Sequence, residues 1–250
     1  MPDTFALTII SIVLFTVVAA FIRGRIRDKC LKSFEKNMVT LEKTSGKIIW
    51  GKLRVENTGL ELIYSEKNKK SNGHEENSYI MYKSEYPEIQ ALVRYHDQLS
   101  DRTRKERDKE LKKVYHPTLL RRFLRKIQNI FKTVKDSLMD VVNLLIGQTK
   151  KTSIGRSLSS QDKYVTKLKN DLVGSVETSY EPLLERYIGH RVVLNLTKGD
   201  KTRGYQGVLK DYSSEFVEIM DVDYVVEEVA SKKADLIVLR KYGTIRHLGE

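Results

Sequence analysis

GVLKDYSSEFVEIMD, residues 207–221, decides how the chain is read. It is two apolar strands joined at Ser213-Ser214, with Gly207 placed where the first strand must bend. The strands continue on both sides of it. From His190 onward RVVLNLTKG, TRGYQGVLKDYS, EFVEIMDVDYVVEEV, ADLIVLRKYG and TIRHLG give five β segments. Their turns fall at Lys198-Gly199-Asp200, Ser213-Ser214, Ser231-Lys232-Lys233 and Tyr242-Gly243. TSYEPLLERYIG precedes them as a helix that starts on capping residues and stops at Gly189. A short helix followed by five bent strands, with Gly204 and Gly207 permitting the bend, predicts a small barrel.

The N-terminal half carries an echo of this stretch. GKLRVENTGLELI, residues 51–63, aligns without gaps to GVLKDYSSEFVEI, residues 207–219, matching Gly51 with Gly207, Leu53 with Leu209, Arg54 with Lys210 and Ile63 with Ile219. Two readings of the echo stand side by side, a duplicated unit and convergence on the same strand-turn-strand chemistry. Around it, alternation in Val39-Thr40-Leu41, Leu53-Arg54-Val55 and Leu60-Glu61-Leu62 predicts a small antiparallel β unit over residues 38–84. Thr44-Ser45-Gly46 and Asn57-Thr58-Gly59 supply its turns. The polar run 66–77 reads as a loop, and Tyr79-Ile80-Met81-Tyr82 as a returning strand.

The C-terminal module resembles the Sm and Sm-like family over roughly residues 180–249. Gly189-His190-Arg191-Val192 is similar to that family's entry into the first strand. Gly207, Leu209, Tyr212, Phe216, Ile219, Met220 and Asp221 fit its first motif, and Leu236-Ile237-Val238-Leu239-Arg240 with Ile245 its second. The resemblance implies a five-stranded barrel with Gly207, Leu209, Tyr212, Phe216, Asp221 and Arg240 as its signature. It also implies side-by-side association through the fourth and fifth strands, about residues 234–248. The pattern departs from the family where the family contacts RNA. Ser213 stands in place of Asp, Val217 in place of the base-contacting Asn, and Lys241 in place of Gly, so base readout is not expected.

The remaining segments divide as follows. Residues 1–3 are a tail, and 4–22 form an uncharged run of nineteen residues, about 28 Å as a helix, which predicts a single transmembrane span. Residues 23–37 form a basic connector whose Arg23, Arg25, Arg27 and Lys29 place the bulk of the chain on the cytoplasmic side of a cell inner membrane. Residues 85–148 predict a helical section. Pro87 opens a helix with Ile89, Leu92, Val93 and Tyr95 on its apolar side, and 101–113 continues it as a solvated, charged helix. An amphipathic helix over 118–146 carries Arg121, Arg122, Arg125 and Lys126 off its apolar stripe, suited either to an anionic leaflet or to packing within protein. Residues 149–162 read as a linker, and 163–250 as helix plus barrel.

The fold class expected is therefore α+β: a transmembrane helix, a small antiparallel β unit, a long amphipathic helical section and a C-terminal five-stranded Sm-like barrel. A net charge of +12, from 45 Lys and Arg against 33 Asp and Glu, calls for an anionic partner, membrane surface or nucleic acid. The single cysteine, Cys30, excludes an internal disulfide framework. The five histidines are scattered, no phosphate loop or nucleophile elbow occurs, and no metal spacing is present, so neither catalysis, cofactor nor metal is expected. The function expected is a membrane-anchored scaffold that self-associates as a homo-oligomer or binds a protein partner. One alternative is single-stranded RNA binding through Tyr205, Lys210, Tyr212 and Arg240. Another is an oligomeric channel or channel-regulatory subunit.

Overall fold

The computed structural model describes residues 27–69, 75–115, 181–226 and 230–249. A short helix, Lys29–Ser33 (α1), leads into Met38–Lys43 (β1), Ile48–Val55 (β2), Gly59–Lys69 (β3), Glu75–Tyr82 (β4) and Ile89–Tyr95 (β5). Helix Asp101–Tyr115 (α2) follows. A second short helix, Pro182–Arg186 (α3), leads into Arg191–Lys198 (β6), Lys201–Tyr212 (β7), Phe216–Val226 (β8), Ala230–Leu239 (β9) and Gly243–Leu248 (β10). The period-2 pattern decides the strand faces. In β2, Ile49, Leu53 and Val55 point into the core while Ile48, Trp50, Lys52 and Arg54 point out.

All ten strands belong to one antiparallel sheet in the order β10-β6-β7-β8-β9-β5-β1-β2-β3-β4. The order contains the same five-strand unit twice, each running fifth, first, second, third, fourth. Backbone detail repeats as well. Lys36 and Gly189 both adopt positive φ, 68° and 84°, and their N–H groups donate to Leu53 O and Leu209 O at 2.7 and 2.8 Å. In the turns between second and third strands, Glu56 N–H donates to Gly59 O, as Ser213 N–H does to Phe216 O. Lys83 N–H donates to Thr58 O, as Arg240 N–H does to Glu215 O.

The echo in the sequence therefore marks equivalent strands, with one adjustment. β7 carries a bulge between Leu209 and Asp211, so Leu209 pairs with Ile219 where Leu53 pairs with Leu62. Past the bulge the gapless alignment is one residue out. Leu62, not Ile63, is the equivalent of Ile219, and Glu61 is the equivalent of Glu218.

Four expectations are corrected here. The closed five-stranded barrel does not form: β9 runs on into β5 of the first unit, in the register Ala91↔Val238 to Tyr95↔Ala234, so the sheet stays open and the Sm resemblance falls with the barrel. The backbone edge of β9 is satisfied by β5 instead of by closure. The α+β class with a long helical section gives way to a mainly β fold. Residues 89–95 are a strand, not a helix, because β5 lies between β1 and β9 and is buried along its whole length. A strand covered on both faces reads as a continuous apolar run, which resembles a buried helix in sequence. Single-pass membrane topology and an inner-membrane location are also withdrawn, since among the described residues no helix is long and apolar enough to cross a membrane. The segment 4–22 lies outside the described residues, as do 118–146 and 149–162. Ser231-Lys232-Lys233, expected as a turn, lies inside β9.

Two apolar clusters lie on either side of the sheet's central strands. One gathers α1 and the first unit, with Leu41, Leu53, Leu62 and Met81, but also takes in Phe216, Ile237 and Leu239 from the second unit. The other gathers Val192, Leu194, Leu209, Tyr212, Ile219 and Leu236 with Ala91, Val93 and Tyr95 of β5. Each unit thus contributes side chains to the other's core.

Candidate functional site

The chain's most elaborate polar chemistry lies at the junction of the two units. Asp235, on β9 and fully buried, faces Arg94 on β5 across the register pair that joins the units. Its Oδ2 accepts from Arg94 Nη2 at 2.8 Å and Nε at 3.2 Å, and from Arg107 Nε of α2 at 3.2 Å. Its Oδ1 accepts from Arg107 Nη2 at 2.9 Å and from the Asp221 backbone N–H at 3.0 Å, and lies 3.1 Å from His96 Nε2. Asp221 sits at the β8 bulge with φ 61°, which turns its N–H toward this carboxylate. Burial opposes the charged form of Asp235. The His96 hydrogen bond and the charges of Arg94 and Arg107 overcome that penalty and hold its carboxyl well below the usual range.

Beside this network lies a second buried ion. Glu218 Oε1 accepts from Ser33 Oγ at 2.7 Å and meets Lys210 Nζ at 3.0 Å, while Oε2 has no hydrogen-bond partner. Lys210 also reaches Glu110 of α2 at 2.9 Å. Burial pushes the Glu218 carboxyl up to about 7, against the opposing pull of Lys210 and Ser33. Because the folded carboxyl keeps its proton to a higher pH than the unfolded one, this group's contribution falls as pH rises from about 4.5 to about 7 and then levels off. The expected loss is about 3 kcal/mol at about 1.4 kcal/mol per pH unit. Urea titrations at pH 5 and pH 8 measure it, and Glu218→Gln is expected to remove most of the decline.

Helix α1 spans the junction. Its N-cap Asp28 accepts from the N–H groups of Cys30 and Leu31. Leu31 and Phe34 pack into the first unit's cluster. On the other side Lys29 pairs with Asp211 at 2.6 Å, Ser33 reaches Glu218, and the Cys30 thiol lies 3.9 Å from Phe216 O. All three partners belong to the second unit. Burial pushes the Cys30 thiol well up, so it is an inert packing group.

Among the described residues the sheet leaves two edges, β4 at one end and β10 at the other. Exposed large apolar side chains include Ile80 and Tyr82 on edge strand β4 and Leu248 on edge strand β10, with Ile48 and Trp50 on the outward face of β2 and Leu183 on α3. Apolar side chains on an open sheet edge mark a surface for pairing.

The residues singled out in the sequence fall as follows. Arg23, Arg25, Arg121, Arg122, Arg125 and Lys126 lie outside the described residues. Arg27 pairs with Glu35 at 2.9 Å, and Lys29 with Asp211, so both are held by the protein's own carboxylates. Leu209, Tyr212 and Phe216 are core residues. Gly207 permits close packing, since a Cβ there would lie 2.6 Å from Val222 Cγ2 and 2.7 Å from Met220 O. Arg240 pairs with Glu181 and donates to Ser213 O. Of the four groups considered for nucleic acid, Tyr205, Lys210 and Tyr212 are buried and offer no face to a strand. Among the described residues no three metal-ligating side chains come together.

Asp235, Glu218, Arg94 and Arg107 were not singled out by sequence reasoning. The available signal was a carboxylate inside an apolar strand, in ADLIVL and FVEIM, where a charge needs a partner brought by tertiary structure. In comparisons with known proteins, no family model, no curated protein and no solved structure matches the chain.

Proposed function

We propose that this chain is an assembly module that associates head to tail with further copies of itself. The observation that carries the reading is the internal junction. The fourth strand of one unit, β9, pairs with the fifth strand of the other, β5, and the edges left over among the described residues are a fourth strand, β4, and a fifth strand, β10. The same pairing between chains joins β4 of one copy to β10 of the next. Such a contact is heterologous, so it builds a ring where the rotation closes and an open row where it does not. Added strand pairing supplies backbone hydrogen bonds, and the side chains set the register.

The register follows from the repeat. Leu92 and Ile245 stand opposite Leu41 and Leu194, and Ile237 and Ile80 stand opposite Glu218 and Glu61. Leu92 pairs with Ile237 in the internal junction. Ile245 of one copy therefore pairs with Ile80 of the next. Directly opposed antiparallel residues have Cα atoms about 4.5–5.5 Å apart, within disulfide reach.

A chain carrying Ile80→Cys and Ile245→Cys is expected to give a ladder of covalent oligomers on mild oxidation, with Cys30 buried and silent. Sedimentation velocity over a concentration series is expected to show mass rising with concentration. Ile80→Lys, at an exposed position, is expected to weaken association about tenfold or more. A chain that stays monomeric throughout overturns the proposal.

A further inference from the structure

Resting on that reading, we infer that each copy inserts helix α3 onto the outer β3–β4 face of its neighbour, with Leu183 as the apolar contact and Arg186 paired to the neighbour's Glu61. The argument is the repeat applied residue by residue. Since Lys36 and Gly189 are equivalent by conformation and hydrogen bond, Cys30 corresponds to Leu183, Leu31 to Leu184, Ser33 to Arg186 and Phe34 to Tyr187. Leu31 and Phe34 pack into their own unit, and Leu184 and Tyr187 do likewise in theirs. The two helices therefore sit alike on their units.

They differ in what lies on the far side. Cys30 is 0% exposed because the second unit covers it, whereas Leu183 is 66% exposed. The receiving surface shows the complementary difference. Tyr79, Ile80, Met81 and Tyr82 correspond to Leu236, Ile237, Val238 and Leu239 through their partners Leu62 and Ile219, Glu61 and Glu218, Leu60 and Val217, and Gly59 and Phe216. Ile237 and Leu239 are 0% and 7% exposed, packed into the cluster that contains Cys30, Leu31 and Phe34. Ile80 and Tyr82 are 57% and 63% exposed. The donor and acceptor halves of one packing arrangement are thus filled inside the chain and bare at its two ends.

Charge agrees with the placement. Inside the chain Ser33 donates to Glu218. At the equivalent sites between copies stand Arg186, which is exposed, and Glu61, whose carboxylate meets Arg54 at 3.3 Å. A guanidinium takes the position of a hydroxyl facing a carboxylate, which strengthens the contact and fixes its direction. Gly59 stands where Phe216 stands, because a Cβ there would collide with the Met81 carbonyl of β4.

The test uses the full 250-residue chain in sedimentation velocity. Leu183→Asp is expected to weaken association about tenfold without changing the fold read by circular dichroism, since the side chain is exposed. Arg186→Glu is expected to weaken it several-fold, and Arg186→Glu combined with Glu61→Arg to recover most of the loss, whereas Arg186→Glu combined with Glu106→Arg, an exposed position on α2 that restores the same net charge, is expected not to recover it. If Leu183→Asp and Arg186→Glu leave the mass distribution unchanged while Ile80→Lys disperses the oligomer, the edges pair without α3 and this inference is overturned. If the wild-type chain is monomeric, head-to-tail assembly and the inference fail together. An oligomer that survives Ile80→Lys and both α3 variants associates by another surface, which also overturns both.

Discussion

Asp235→Ala is expected to lower the free energy of unfolding by about 3–5 kcal/mol, the range for breaking a buried ion pair by removing one partner. The carboxylate is fully buried and takes hydrogen bonds from two guanidiniums and a backbone N–H. Without it, Arg94 and Arg107 are left as charges with little water and no buried anion between them. The loss reads out as a lower midpoint in guanidinium denaturation. Asp235→Asn keeps the shape and removes the charge, so it is expected to cost nearly as much, whereas a purely steric role leaves it close to wild type. The network's pH dependence runs opposite to that of Glu218. The Asp235 carboxyl is held below its unfolded value, so its contribution is present above about pH 4 and is lost as pH falls further.

The second large effect is expected at Phe216. Its ring is fully buried, packs edge-to-face on Tyr86 at 5.7 Å between centroids, and belongs to the first unit's cluster although it starts β8 of the second. Phe216→Ala is expected to cost about 3–5 kcal/mol, from lost transfer energy and the cavity left behind. Because Phe216 shares its apolar cluster with Cys30, Leu31 and Phe34, the variant is expected to loosen α1 in particular. Hydrogen exchange at Cys30 to Phe34 is expected to accelerate more than exchange in β6 or β10, neither of which pairs with β8. Uniform acceleration across both units places Phe216 in a single shared core with no special hold on α1.

Much of the strand content was legible because half-buried strands write their period into sequence. Leu53-Arg54-Val55 reads as Leu53 and Val55 inward with Arg54 outward, and that is how β2 folds. The turns at Gly46 and Gly199 were legible for a similar local reason, since both adopt positive φ. β5 was not. Buried on both faces, Ile89–Tyr95 carries no alternation, and Ile89, Leu92 and Val93 fall on helical spacing by chance. The bulge in β7 was equally hidden, and it moved the equivalent of Ile219 from Ile63 to Leu62.

What the sequence by itself determined is local: the half-buried strands that alternate, the turns at Gly46 and Gly199, that α2 is a charged helix, and that residues 51–63 echo 207–219. Each of these follows from the spacing of apolar and turn residues a few positions apart. What only the tertiary structure decided is which strand β9 pairs with. That choice brings Arg94 to Asp235 across 141 positions, and it decides between a closed barrel and an open sheet of two joined units. Backbone hydrogen bonds are the same whichever strand supplies them, so no residue of β9 names its partner. The apolar face of Ile237 and Leu239 required a cover, and the first unit supplies it.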